Sequence, residues 1–161
     1  MSLAKSRHAP PKAGVMLEAL RGLGYSTATA IADVIDNSIS ARADQIDIFL
    51  SWSDSISTVI ILDNGHGMAE QELDLAMRLG ERNPLDKRAA HDLGRFGMGL
   101  KTASFSQCRR LTVASKKEGR TSCLRWDLDL LAASKDDDWQ LFEGPDEGLS
   151  LIHISEPTRP Y

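Results

Sequence analysis

Hydrophobic residues recur along this chain with two different periods, which predict a domain that mixes helices and strands. A period of three to four residues predicts helices over residues 16–23, from 26 or 27 to about 42, over 68–79, and from about 98 onward. Alternating or β-branched runs predict strands over residues 45–52, 57–64, 109–115 and 122–131. The second of these runs is apolar enough to predict a strand that is buried on both faces.

The helix that begins near Ser26 has two distinct faces. We expect Ser26 or Thr27 to cap its first turn. Its apolar stripe comprises Ala28, Ile31, Ile35 and Ile39. On the opposite side, Asp33 and Asn37 lie one turn apart. This pair is either a solvated helix face or a site in which Asn37 gives its amide oxygen to Mg²⁺ and Asp33 orients or deprotonates a water.

The strand over 57–64 ends in the sequence Asp63-Asn64-Gly65-His66-Gly67-Met68. One interpretation is a tight turn. The other places the Asp63 carboxylate where an adenine amino group can donate to it, whereas guanine presents a carbonyl at that position. Gly65 and Gly67 would then let the backbone approach the purine. His66 is expected to be a loop histidine and not a ligand.

A third segment, GRFGMGLKTAS from Gly94 to Ser104, opens a predicted helix with glycines. Free N–H groups and the helix dipole converge at such a start and can hold a phosphate. The spacing fits neither the Walker A motif nor a Rossmann fingerprint. Lys101 either contacts a phosphate or is solvated.

Composition narrows the range of partners. A length of 161 residues suggests one domain, and a formal net charge of −4 gives no support for nucleic-acid binding by this domain alone. Cys108 and Cys123 are the only cysteines and match no zinc pattern, which predicts free thiols in the cytoplasm. Neither a secretory signal nor a run of about 18–20 apolar residues is present, so we expect no membrane contact.

The order of these three segments resembles the GHKL superfamily, the ATPases of gyrase B, heat-shock chaperone, histidine kinase and MutL type. AIADVIDNSISARA, ILDNGHGM and GRFGMGLKTAS are similar to its three motifs, and among subfamilies the chain looks most similar to MORC-like and related bacterial ATP-binding proteins. The resemblance implies an α/β fold, the two-layer Bergerat sandwich, with helices on one face of a mixed, mostly antiparallel sheet.

The resemblance also assigns roles at an ATP site. Asn37 would bind Mg²⁺, Asp63 would bind adenine, and residues 82–99 would form the ATP lid. Gly67 and Met68 would line the base pocket, beside Gly65. The phosphate side would comprise Gly94, Phe96, Gly97, Met98, Gly99 and Lys101. ATP and Mg²⁺ are therefore the expected cofactors.

Two departures from the family pattern affect the expected activity. Asp33 stands where hydrolytic members usually have glutamate, and its shorter reach predicts slow hydrolysis with Asp33 as the catalytic residue. The second is that neither a late Gly-Thr strand motif nor a transducer domain is found here, and both would be expected beyond residue 148, where the sequence is expected to be truncated.

We expect an ATP-driven conformational switch that forms an ATP-dependent homodimer. A histidine-kinase-like phosphotransferase, with His8 as the only upstream histidine, and a non-catalytic nucleotide-binding module are the alternatives.

The predicted organisation is a flexible arm over residues 1–14, the ATP-binding domain over 15–148 and a non-native tail over 149–161. The tail sequence LSLIHISEPTR is similar to the translation of a sequencing adapter, so the natural domain is expected to continue beyond residue 148. The alternative is a real terminal strand, SLIHIS, followed by a proline-containing tail.

Overall fold

The structure is a computed structural model that describes residues 7, 11–22, 24–53, 57–80, 99–134 and 139–145. Within these ranges the helices are α1 (Ala13–Arg21), α2 (Thr27–Ser40), α3 (Glu70–Met77), α4 (Gly99–Gln107) and α5 (Leu128–Ala133). The strands are β1 (Ile46–Ser51), β2 (Thr58–Asp63), β3 (Arg110–Lys117), β4 (Arg120–Asp127) and β5 (Phe142–Glu143). No helix in the described part of the chain is long and apolar enough to cross a bilayer.

The strands form two antiparallel sheets. β1 pairs with β2 so that Ile46 lies opposite Asp63, and the second sheet has the order β3-β4-β5. β3 and β4 are joined by Glu118 and Gly119, whose φ angles are both positive at 53° and 75°. Two positive φ angles match the right-handed twist of a hairpin. Helices combined with antiparallel sheets confirm the predicted α/β class.

The hydrophobic core lies where α1, α3, α4 and α5 meet the β3-β4-β5 sheet. Its buried members are Leu17, Leu73, Met77, Phe105, Trp126, Leu128 and Leu131. The rings of Phe105 and Trp126 meet edge to face with centroids 6.3 Å apart, a favourable aromatic arrangement. This core fixes α3, α4 and β4 relative to one another, and these elements lie beside the residues with predicted functions.

The apolar stripe predicted for α2 is wrong. Ala28 is exposed and Ile39 is 50% exposed, whereas the fully buried residues of this helix are Ala30 and Ser38. Ser26 caps the helix as expected, because its side chain accepts a hydrogen bond from the Thr29 N–H. The most buried side of the helix therefore carries Ala30 and Ser38, whereas Ile31 and Ile35 of the predicted stripe are only half-buried.

The burial predicted for the strand over 57–64 is also wrong. Val59 is 41% exposed, Ile60 38% and Leu62 37%, because within the described residues β2 pairs only with β1. The sequence correctly located this strand but could not show how much of it is covered.

Two predicted boundaries need correction. The strand predicted to reach Leu131 ends at Asp127, because the Asp127 carboxylate accepts the N–H groups of Asp129 and Leu130, both at 3.1 Å, and so caps α5. The predicted arm over 1–14 ends two residues too late, because Ala13 and Gly14 belong to α1 and Ala13 is only 1% exposed. The tail over 149–161 and His8 lie outside the described residues.

Candidate nucleotide-binding site

The α2 pair is held in a defined orientation. Asn37 Nδ2 donates to the backbone oxygen of Asp33 at 2.8 Å. Because a backbone carbonyl can only accept, this bond fixes which end of the amide is nitrogen, and it leaves Oδ1 for another partner. Asn37 is exposed and Asp33 half-buried. An amide oxygen of fixed orientation is the ligand type that Mg²⁺ prefers.

The Asp63 carboxylate lies at the end of β2 and is held at both oxygens. Ser38 Oγ donates to Oδ2 at 2.9 Å, and the backbone N–H of Gly65 donates to Oδ1 at 2.9 Å. Each oxygen has a second lone pair and can accept one more donor. Ser38 follows Asn37 directly in the chain, so one turn of α2 serves both Asn37 and Asp63.

Sequence reasoning missed Ser38. The pattern placed Asp33 and Asn37 on the polar face of the helix and gave Ser38 no role. The available signal was a small hydroxyl residue eight positions after Ala30, which a regular helix places about 80° around the axis, on the same half of the helix. Ala30 and Ser38 are both 4% exposed.

The two glycines after Asp63 lie against the protein itself. A Cβ at Gly65 would be 2.7 Å from the Cβ of Ala41, and a Cβ at Gly67 would be 2.0 Å from the Lys116 backbone oxygen. Gly67 also has a φ of +65°, which favours glycine. Both glycines are therefore explained by close packing within the chain, in addition to the purine contact predicted for them.

The residues that follow Gly67 also contact β3. The Met68 N–H donates to the Ser115 hydroxyl at 2.7 Å, and the Met68 side chain packs against the core. Glu72 Oε2 accepts from the Ala69 N–H and from Lys117 Nζ, both at 2.7 Å. The bonds from Lys117 and then from Ala69 hold the pKa of Glu72 below its ordinary value. The segment after Asp63 is thus attached to β3 at several points.

Lys101 is 2% exposed, so the solvated alternative is wrong. Its Nζ donates to the backbone oxygens of Ala76 at 2.8 Å and Arg78 at 2.5 Å, at the end of α3. Trp126 Nε1 donates to the carbonyl between them, that of Met77, at 2.9 Å. These contacts make Lys101 a link between α3 and α4.

The remaining predicted phosphate residues differ in how far the structure describes them. Gly99 is the first residue of α4 and is half-buried. Gly94, Phe96, Gly97 and Met98, with most of the predicted lid, lie outside the described residues.

In the part of the chain that the structure describes, His66 and the acidic residues form no metal centre of their own. His66 is exposed, and its Nδ1 lies 2.8 Å from the backbone oxygen of Gly67, as in a loop histidine. Over the described ranges, His, Cys, Asp and Glu side chains form no group of three that can hold a metal. A cation at Asn37 would complete its shell with ligand oxygens and water, which suits Mg²⁺.

The sequence of this chain is similar to those of known proteins. The family described as "Histidine kinase-, DNA gyrase B-, and HSP90-like ATPase" matches residues 25–150. The chain is 29% identical to ATPase morc-1 of Caenorhabditis elegans over 116 residues, which are 70% of this chain and 13% of that protein. It is 26% identical to DNA mismatch repair protein MutL of Leptospira biflexa over 138 residues, 83% of this chain and 22% of that protein.

A third relative, ATPase MORC2B of Mus musculus, is 31% identical over 98 residues, 59% of this chain and 10% of that protein. The chain thus spans less than a quarter of the length of these relatives. The resemblance to MORC and MutL proteins is confirmed, and the family match covers all three motifs. This chain therefore belongs to the histidine kinase-, gyrase B- and HSP90-like (GHKL) family of ATPases.

Proposed function

We propose that this domain binds Mg-ATP beside α2 and the segment that follows β2. Asp63 accepts a hydrogen bond from the adenine amino group, and Asn37 gives its amide oxygen to Mg²⁺. Gly65, Gly67 and Met68 shape the base side of the site. The observation that carries this proposal is the Asp63 carboxylate, which the Ser38 hydroxyl and the Gly65 N–H hold in one orientation. Ser38 is the residue next to Asn37 in α2.

The chemistry of these groups fits an adenine nucleotide. A carboxylate offers only acceptors, so it matches the amino group of adenine and repels the carbonyl oxygen of guanine. Sites built to hydrogen-bond one substrate group discriminate strongly against analogues that lack it. When bound, Mg²⁺ neutralises phosphate charge, and Asn37 is the described residue whose free amide oxygen suits it.

Replacing Asp63 by asparagine is expected to weaken ATP binding about 10- to 30-fold, because an amide nitrogen would meet the adenine amino donor. Calorimetric titration of Mg-ATP, Mg-ADP and Mg-GTP into the folded chain tests this. The parent chain should bind both adenine nucleotides and ignore GTP. Asp47→Asn, an exposed carboxylate on the neighbouring strand, is the matched control and should bind ATP like the parent. Equal binding of ATP and GTP would contradict the adenine role of Asp63.

We further propose that Asp33 orients the attacking water and that hydrolysis is slow. Its support is position, since Asp33 lies one turn before Asn37 and its backbone oxygen anchors the Asn37 amide. Because Asp33 is one methylene shorter than glutamate, the water is held less well.

Asp33→Asn is expected to lower steady-state phosphate release about 100-fold while the Kd for ATP changes less than about twofold. The control is Asp36→Asn, an exposed carboxylate on the same helix, which should leave turnover unchanged. Equal turnover in Asp33→Asn and the parent would exclude the catalytic role. ATP binding without turnover in the parent would favour a non-catalytic nucleotide-binding module.

The proposed biological role is a switch in which bound ATP brings two copies of the protein together. Its support is family membership and the relatives, which are named ATPases and mismatch repair proteins. Those proteins are several times longer than this chain, so the proposal concerns this domain as one part of such a switch.

A further inference from the structure

The Ser38 side chain makes a contact that a serine inside a helix seldom makes. Such a hydroxyl commonly bonds back to a carbonyl of its own helix, one turn earlier. Here Ser38 Oγ donates instead to Asp63 Oδ2 at 2.9 Å, across 25 residues of sequence. Ser38 is 4% exposed, whereas Asp63 is exposed to solvent.

This contact and the bond from the Gly65 N–H together restrict the orientation of the carboxylate. With Oδ2 bonded to Ser38 and Oδ1 bonded to the Gly65 N–H, the carboxylate plane cannot rotate without losing a hydrogen bond. The two donors therefore hold the Asp63 carboxylate in one orientation.

We propose that Ser38 is the positioning residue that sets the base specificity of this site. This inference rests on the proposed ATP binding and adds a specificity determinant to it. Ser38 does not touch the nucleotide; it acts through the orientation of Asp63. A fixed carboxylate meets the adenine amino group at no further entropic cost, whereas a free one must be ordered on binding.

The test compares two ligands that differ only at the group Asp63 contacts. ATP carries the 6-amino group, and purine riboside triphosphate lacks it. If Ser38 acts through Asp63, Ser38→Ala weakens ATP binding about tenfold and changes binding of the amino-free analogue less than about twofold. The ratio of the two affinities is measured within one variant, so a lower fraction of folded protein affects both ligands equally and cancels.

Two further variants make the test specific. Ser40→Ala removes a hydroxyl from the same helix two residues away and should leave the ratio as in the parent. Ser38→Cys keeps the size of the side chain with a weaker donor, so it should give an intermediate ratio and provides a second readout if the alanine variant fails to fold.

Each outcome has a distinct meaning. Equal weakening of both ligands in Ser38→Ala would overturn the positioning role and leave Ser38 as a packing residue. A parent chain that binds neither ligand would instead overturn the proposed function itself. A loss confined to ATP supports the inference.

Discussion

Replacing Gly67 by alanine is expected to destabilise this domain by about 3–5 kcal/mol. The new Cβ would lie 2.0 Å from the backbone oxygen of Lys116, an atom that cannot move without distorting β3. A non-glycine residue at a φ of +65° adds about 1–2 kcal/mol of backbone strain. Overpacking adds about 1–3 kcal/mol, and moving the chain away would also break the 2.7 Å bond from Met68 N–H to Ser115. Urea unfolding followed by circular dichroism measures the loss.

Gly119→Ala is the matched control for that experiment. Gly119 has a similar φ of +75°, but nothing lies within 4 Å of a Cβ built there. It should therefore show the backbone strain alone, about 1–2 kcal/mol. Similar losses in the two variants would show that the contact with Lys116 contributes nothing, and the close approach of this segment to β3 would then be wrong.

The sequence predicted most of the elements because their signals are local. Periodicity placed α2, α3, β1, β2 and β3 within a few residues of their observed bounds, and Ser26 was correctly proposed as a cap. The three motifs also led to the family that the comparison confirms. β5 was not predicted, since a two-residue strand carries no periodic signal.

Features that depend on tertiary contacts were not predictable in this way. The apolar stripe of α2 did not coincide with the most buried side of the helix, which carries Ala30 and Ser38, and Ser38 there donates to Asp63 in a different element. The strand over 58–63 has a core-like composition yet stays partly exposed in the described residues. Apolar residues show that a segment can be covered, not which other segment covers it.

The candidate site likewise combines features that the sequence suggested with features that it did not. The residue types and spacing of Asp33, Asn37 and Asp63 suggested a nucleotide site, and these assignments stay predictions. The contacts of Ser38 and Lys101 were not predicted from the sequence. Ser38 bonds to a residue 25 positions away in the sequence, and Lys101 bonds to two residues 23 and 25 positions away. Only folding brings such distant residues into contact.

Lys101→Met is expected to destabilise the ligand-free domain by about 3 kcal/mol. Methionine keeps most of the volume but leaves the carbonyls of Ala76 and Arg78 without the donor that now lies 2.8 and 2.5 Å away. It also removes a cation from the negative end of the α3 dipole. Lys117→Met, which breaks a surface pair with Glu72, is the matched control and should lose less than about 1 kcal/mol.

Guanidinium unfolding without nucleotide distinguishes a structural role of Lys101, as a link between α3 and α4, from a role as a phosphate ligand. A helix link lowers stability before any ligand is added, whereas a phosphate ligand leaves the ligand-free protein as stable as the parent and weakens only ATP binding. Unchanged unfolding in Lys101→Met would therefore reject the link between α3 and α4 and restore the phosphate role.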